Sequence, residues 1–340
     1  MRPVRLFLQT FALLGFLVFA SCSPSSNPLL PKPDGSNEKV DDTDYSGIEV
    51  FYPQVDILFV VDDSGSMQTH QTNLIRNIDR FLNAFTTRPN IDYHIGVLNS
   101  SLDYWSGANC CGQLLGTPNF VERNTPDLIQ VLSRSLRVGT SGSATEKFFD
   151  PVKAALTDPL LTGLNAGFYR PNAHLAIVFI TDAEDQGKQE ALEFFTFLEG
   201  LKGRKEKFIA YGVVVPSNVG NCERDDSSTP DRIEDFLGMM PNAGKNVFSL
   251  CDPQFGDRIA GIADDLVRFI GNVIFLSRPP IVETIEVSFG TQVIPRDYKK
   301  GWVFDPARNA LVLGDEIQWS TQPNGTKVKV YYEAATFPKD

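Results

Sequence analysis

Histidine and cysteine are scarce in this chain, and neither is grouped in a way that makes a familiar reactive centre. The three histidines, His70, His94 and His174, are scattered, and no CxxC, HExxH or GxSxG occurs. Those absences exclude zinc sites of the usual spacing, the dithiol redox motif and the serine nucleophile elbow. A phosphate-binding loop is excluded as well. Between Gly238 and Gly244-Lys245 there is one residue too many, and Asn246 stands where Ser or Thr should follow the lysine. Positive charge is also in deficit, with 31 Lys and Arg against 42 Asp and Glu and a formal charge of −11. A nucleic-acid binder needs the opposite balance, a basic stripe that displaces counterions. No repeat of solenoid period is present. What remains, 42% hydrophobic and 21% charged residues in 340, has the composition of a globular protein with room for one large domain and a smaller one.

The N-terminus carries Arg2 and Arg5 ahead of an apolar run, Leu6 to Ala20, interrupted by Gln9 and Thr10. Such a run is shorter than the roughly 20 residues of a membrane span and reads as a secretory signal over residues 1–21. It ends Phe19-Ala20-Ser21-Cys22, which resembles a bacterial lipobox, with Phe19 in place of the usual Leu. That resemblance implies lipidation of Cys22 and a chain exported and held on the cell envelope, with Ser23 compatible with sorting to an outer membrane. Residues 22–52, rich in Ser, Pro, Asn and Asp, read as a flexible tether. An oxidising compartment makes disulfides feasible among Cys110, Cys111, Cys222 and Cys251, which allow three pairings.

From residue 55 the pattern alternates. Val55–Val61, Tyr93–Asn99, Leu175–Thr181, Phe208–Val215 and the short Asn246–Leu250 read as strands. Most are β-branched runs of the kind buried on both faces. Between them lie helical periodicities, such as Leu74, Ile75, Ile78, Phe81, Leu82 and Phe85 after Ser66, the run Gln189–Leu201, and a last helix over Arg258–Ser277. The fold class implied is α/β: a doubly wound, mostly parallel, Rossmann-like sheet flanked by helices, over residues 53–277. After Pro279-Pro280, short alternating runs and turn residues mark residues 281–337 as a small β-module that must pack on the larger domain for support.

The first strand is followed by Asp62-Asp63-Ser64-Gly65-Ser66 and then by a helix. One carboxylate and two hydroxyls on a tight turn, with Gly65 permitting the bend, offer three oxygen ligands to a hard divalent cation. Asp and Ser before a helix are also ordinary N-caps. The strand ending at Thr181 is followed by Asp182-Ala183-Glu184-Asp185, so a second acid stands at the carboxyl edge where open α/β sheets bind ligands. Asp182, Glu184, Gln186, Gly187 and Glu193 also match EF-hand positions, but a strand precedes them and the residue types are too long at two positions.

With Asp62-x-Ser64-x-Ser66 and Asp182 at strand ends, residues 53–276 resemble a von Willebrand factor type A (VWA) domain, two of whose three motif loops are well matched. The resemblance implies a metal-ion-dependent adhesion site in which Asp62, Ser64, Ser66 and Asp182 hold one divalent cation, Mg²⁺ first, with Mn²⁺ or Ca²⁺ as alternatives. The third loop, Gly139 to Thr145, lacks the family's Gly-Gly-Thr. Ser143 fits by position and Thr145 by residue type. The family's strand order also implies a Cys222–Cys251 bridge, leaving Cys110–Cys111 as a vicinal pair or reduced. The expected activity is non-enzymatic: gripping a carboxylate of a partner protein through the cation. A structural scaffold whose metal only staples loops is the alternative. A metal-assisted hydrolase would need Asp63, Glu184 or Asp185 as its acid or base.

Overall fold

A computed structural model describes residues 46–101, 112–143, 145–218, 222 and 229–335. Cys22, Cys110 and Cys111 lie outside the described residues. The first strand, β1 (Ser46–Phe51), joins a C-terminal sheet. The central sheet is built from β2 (Gln54–Val61), β3 (Asp92–Asn99), β4 (Phe120–Glu122), β5 (His174–Thr181), β6 (Phe208–Val214) and β7 (Val247–Ser249), in the order β4-β3-β2-β5-β6-β7. All pair in parallel except β4, which closes one edge antiparallel to β3. This is the doubly wound α/β architecture expected from the sequence.

The strands are apolar on both faces because both faces are covered. In β2, Val55, Ile57, Phe59 and Val61 enter one core while Leu58 and Val60 enter the other, the period of two that a strand imposes. The first core is roofed by α1 (Gln68–Thr86), α2 (Leu128–Ser135) and α6 (Phe255–Gly271), the second by α3 (Phe149–Ala155), α4 (Ala191–Lys202) and α5 (Asp231–Gly238). In the second core, Phe149 stacks on Phe194 at 4.6 Å, and Phe236 closes on Phe194 at 4.9 Å. Burying each such ring contributes about 1.5–3 kcal/mol. The β2 run also conceals a charge. Asp56 is fully buried, and Arg170 satisfies it with its Nε (2.8 Å) and backbone amide (2.6 Å).

Two boundaries differ from the sequence reading. Residues 46–51, assigned there to the tether, form β1, which pairs antiparallel with β13 (Val328–Glu333) in continuous register from Ser46↔Glu333 to Phe51↔Val328. Gly47 is what allows the fit, since a Cβ there would fall 2.2 Å from the Tyr332 ring. The last helix stops at Gly271 rather than Ser277. The β-branched Val273 and Ile274 instead enter β8 (Val273–Phe275). The remaining strands are β9 (Glu286–Phe289), β10 (Gln292–Ile294), β11 (Trp302–Asp305) and β12 (Ala310–Leu313). They make two antiparallel sheets, β1-β13-β9-β10 and β11-β12-β8, around a shared core that includes Val287, Phe289, Trp302, Leu311, Val328 and Val330. Among the described residues no helix is long and apolar enough to cross a membrane.

His174 opens β5 at the foot of the sheet and meets the Phe269 ring edge-on at 5.4 Å. Burial, reinforced by Lys207, pushes its imidazole down to about 4 from the usual 6.5. The folded protein therefore holds a neutral ring that the unfolded chain would protonate. That contribution is complete above pH 6.5 and is lost as pH falls toward 4. Relative to His174→Gln, the parent chain should lose at most about 3 kcal/mol of unfolding free energy across that window. Denaturant titrations at pH 7 and pH 4.5 test this, and parallel pH dependences in the two proteins would contradict it.

Candidate metal centre

The register of β2 on β5 sets Val61 opposite Ile180, and the Asp62 amide donates to the Ile180 carbonyl at 3.0 Å, extending the ladder one residue past the strand. Asp62 is thereby brought beside Thr181 and Asp182. The Thr181 hydroxyl donates to Asp62 Oδ2 at 2.6 Å, and the Ser64 amide donates to Asp62 Oδ1 at 2.8 Å. Ser64 and Ser66 hydroxyls lie 3.0 Å apart, and the Ser66 hydroxyl donates to Asp182 Oδ1 at 3.1 Å. Four residues from two loops thus form one chain of contacts. Ser64 occupies the N-cap position of the turn Gly65–Met67 but makes no side-chain cap bond, so capping does not explain its hydroxyl.

Three of these oxygens are gathered in one cluster. The 3.0 and 3.1 Å separations are those of hydrogen bonds between the groups, and oxygens collected at this spacing are the donor type a hard divalent cation takes. The electrostatics agree. Asp62 is fully buried, and burial pushes its carboxyl up to about 6, aided by the like charge of Asp182 and opposed by the Thr181 and Ser64 hydrogen bonds. A divalent cation between the two acids would favour their ionised forms. Among the described residues no group of three or more His, Cys, Asp or Glu side chains is arranged to hold a metal. Glu193, needed for the EF-hand, is instead half of the capping box of α4 with Glu190.

Asp63 has a different task. Only 4% exposed, its carboxylate accepts hydrogen bonds from Asn99 Nδ2 and from the Ser100 and Ser101 hydroxyls, each at about 2.9 Å. Its carbonyl takes the Gly142 amide at 2.8 Å, and a Cβ on Gly142 would fall 2.3 Å from the Asp63 carboxyl carbon. The third loop therefore docks on Asp63. The Ser143 amide donates to Ser101 Oγ at 3.1 Å, and the Thr145 amide donates to Ser143 Oγ at 3.1 Å. Ser143 is half-buried beside this network and Thr145 is exposed. Gln71 ties the first and third loops together, its Nε2 donating to the carbonyls of Asp62 (2.9 Å) and Gly139 (2.6 Å). Gly65 departs from its expected role. Its φ is unexceptional, and nothing lies within 4 Å of a Cβ placed there, so the turn does not depend on glycine.

The sequence reading missed Thr181, Gln71 and the Asp63 network. Thr181 had a signal, a hydroxyl directly before Asp182; the other two are long-range. The remaining acids are engaged structurally. Asp185 accepts the amides of Phe148 and Phe149 at the start of α3, and Glu184 accepts those of Asp185 and Arg232. A disulfide joins Cys222 to Cys251, whose Cα atoms are 5.8 Å apart, beyond the ends of β6 and β7.

The chain is similar to the pilus adhesin SpaC of Lactobacillus rhamnosus GG in its open conformation (11% identity, TM-score 0.41), covering 83% of this chain and 38% of that one. It is similar to a von Willebrand factor type A protein of Catenulispora acidiphila (11%, TM-score 0.40; 85% and 61%). It is also similar to proximal thread matrix protein 1 of the mussel byssus in a form with a zinc-occupied MIDAS motif (12%, TM-score 0.36; 64% and 48%). The chain spans between 38% and 61% of the length of these three. No protein-family model matches it. No curated protein matches it.

Proposed function

We propose that this chain is a VWA-type, non-enzymatic binding module that grips a carboxylate of a partner protein through one divalent cation, Mg²⁺ by preference. The observation that carries the reading is the set of Ser64, Ser66 and Asp182 oxygens at 3.0 and 3.1 Å, next to the buried Asp62. Asp62, Ser64, Ser66 and Asp182 would hold the ion, with Ser143 or Thr145 completing the protein's share from the third loop. A bound cation would supply a coordination position for an incoming carboxylate. The non-enzymatic reading is supported by the engagement of Asp63, Glu184 and Asp185 in hydrogen bonds that organise loops and helix ends. Lipidation at Cys22 and display on the bacterial envelope, in the outer membrane where there is one, belong to the same proposal and rest on the N-terminal sequence.

The experiment is capture of the chain by an immobilised glutamate-bearing peptide in Mg²⁺ and in chelator. Binding in Mg²⁺ that chelator abolishes, and that a glutamine version of the peptide fails to give, is the expected result. Equal binding with and without chelator would overturn the reading.

A further inference from the structure

Two clefts flank the third loop, and arginines line both. One, of about 490 Å³, is lined by Arg134, Arg137, Gly142, Asp63 and Asn99. The other, of about 540 Å³, is lined by Arg76, Arg137 and Gln71. Arg137 belongs to both, as do Gly139 and Thr140. In a chain with this excess of acid, these clefts contain a single carboxylate, Asp63, and its charge is buried and already hydrogen-bonded. Among the described residues Arg76, Arg134 and Arg137 form no ion pair, whereas Arg80, Arg88 and Arg258 each have a carboxylate within 4 Å. Arg134 sits in the last turn of α2, where the helix dipole accounts for a cation. Arg76, midway along α1, and Arg137, beyond α2, have no such explanation.

The clefts adjoin the loops of the metal centre, although none of Asp62, Ser64, Ser66 and Asp182 lines either of them. Gln71, which lines one of them, bonds the carbonyls of Asp62 and Gly139, and Asp63, which lines the other, directly follows Asp62. Leu115 and Val138 in one cleft and Ile75 in the other add apolar surface beside the arginines. Guanidinium groups beside a few aliphatic side chains in a mixed polar and apolar lining suit an acidic peptide, whose carboxylates meet the forks while an aliphatic side chain packs on Leu115, Val138 or Ile75. A sulfated glycan brings anions but no such side chains.

We infer that the partner is an acidic peptide segment, with one carboxylate on the cation and further carboxylates on Arg137, Arg134 and Arg76 along the two clefts. This rests on the metal-dependent reading above and adds the chemistry of the bound segment and the residues that meet it. The test uses the full chain and a short peptide carrying several glutamates and a leucine. Its affinity in Mg²⁺ should fall at least about tenfold for Arg137→Glu and for Arg76→Glu. Arg137→Lys should retain part of it, and Mg²⁺ binding by calorimetry should match the parent chain in all three. Unchanged peptide affinity in both charge-reversal variants would overturn the inference while leaving the metal-dependent reading standing. So would a heparin oligosaccharide that binds in preference to the peptide. Peptide binding that ignores Mg²⁺ in the parent chain would instead overturn the metal-dependent reading.

Discussion

Asp62→Asn should make the metal-free protein more stable and at the same time abolish its response to Mg²⁺. Burial raises the Asp62 carboxyl to about 6 from 3.8, so the folded state binds its proton more tightly than the unfolded chain does. Stability from this group is therefore greatest below pH 3.8 and is lost as pH rises through 6. At pH 8 the ionised carboxylate opposes folding by up to about 3 kcal/mol, which a neutral amide of the same shape removes. The amide can still accept the Ser64 N–H and donate to the Thr181 hydroxyl, so packing is retained. In chelator the variant should melt a few degrees above the parent chain. With Mg²⁺ at a hundredfold its dissociation constant the parent should gain about 2.7 kcal/mol and the variant nothing. Thermal melts of both proteins with and without Mg²⁺ should show the parent's melting temperature rise with the ion while the variant's stays where it was in chelator. A variant that melts lower in chelator and still responds to Mg²⁺ would contradict the assignment.

Asp63→Ala should destabilise the protein by about 3–5 kcal/mol, measured by denaturant titration in chelator. Its carboxylate is the common acceptor for Asn99, Ser100 and Ser101, in a position only 4% exposed, and deletion leaves three donors without it. Because Gly142 packs against the same carboxyl, the third loop loses its seat and Mg²⁺ affinity should fall too. Asp63→Asn, which keeps one acceptor oxygen, should cost less than the alanine variant. A loss under about 1 kcal/mol in the alanine variant would show that these hydrogen bonds are readily replaced by water.

The strands that build the site were legible because they are buried on both faces. Apart from Asp56, β2, β5 and β6 carry polar residues only at strand ends (Gln54, His174 and Thr181), and the acids that follow β2 and β5 are the residues brought together. Residues 46–51 were not legible, because the partner β13 lies 277 to 287 positions away (328 − 51 and 333 − 46) and the six residues, with Ile48, Val50 and Phe51 apolar, follow a polar stretch without a break. Asp63 was hidden by its neighbour: adjacent acids look interchangeable in sequence, yet Asp62 pairs toward β5 and Asp63 toward the Ser100–Ser101 loop. Gly65 makes its turn with an ordinary φ and open space around it, whereas Gly142, whose small size is required against Asp63, has no local signal in the sequence. The third loop is held by contacts to Asp63, Ser101 and Gln71 that no local spacing encodes, which is why the choice between Ser143 and Thr145 stayed open.

Calorimetric titration of Mg²⁺ into the metal-free parent chain and into Asp62→Asn at pH 8 tests the central claim most directly. One saturable site in the parent chain and at least about a hundredfold weaker binding in the variant is the predicted result. Indistinguishable isotherms would contradict it, and with it the assignment of Asp62, Ser64, Ser66 and Asp182 as a cation site.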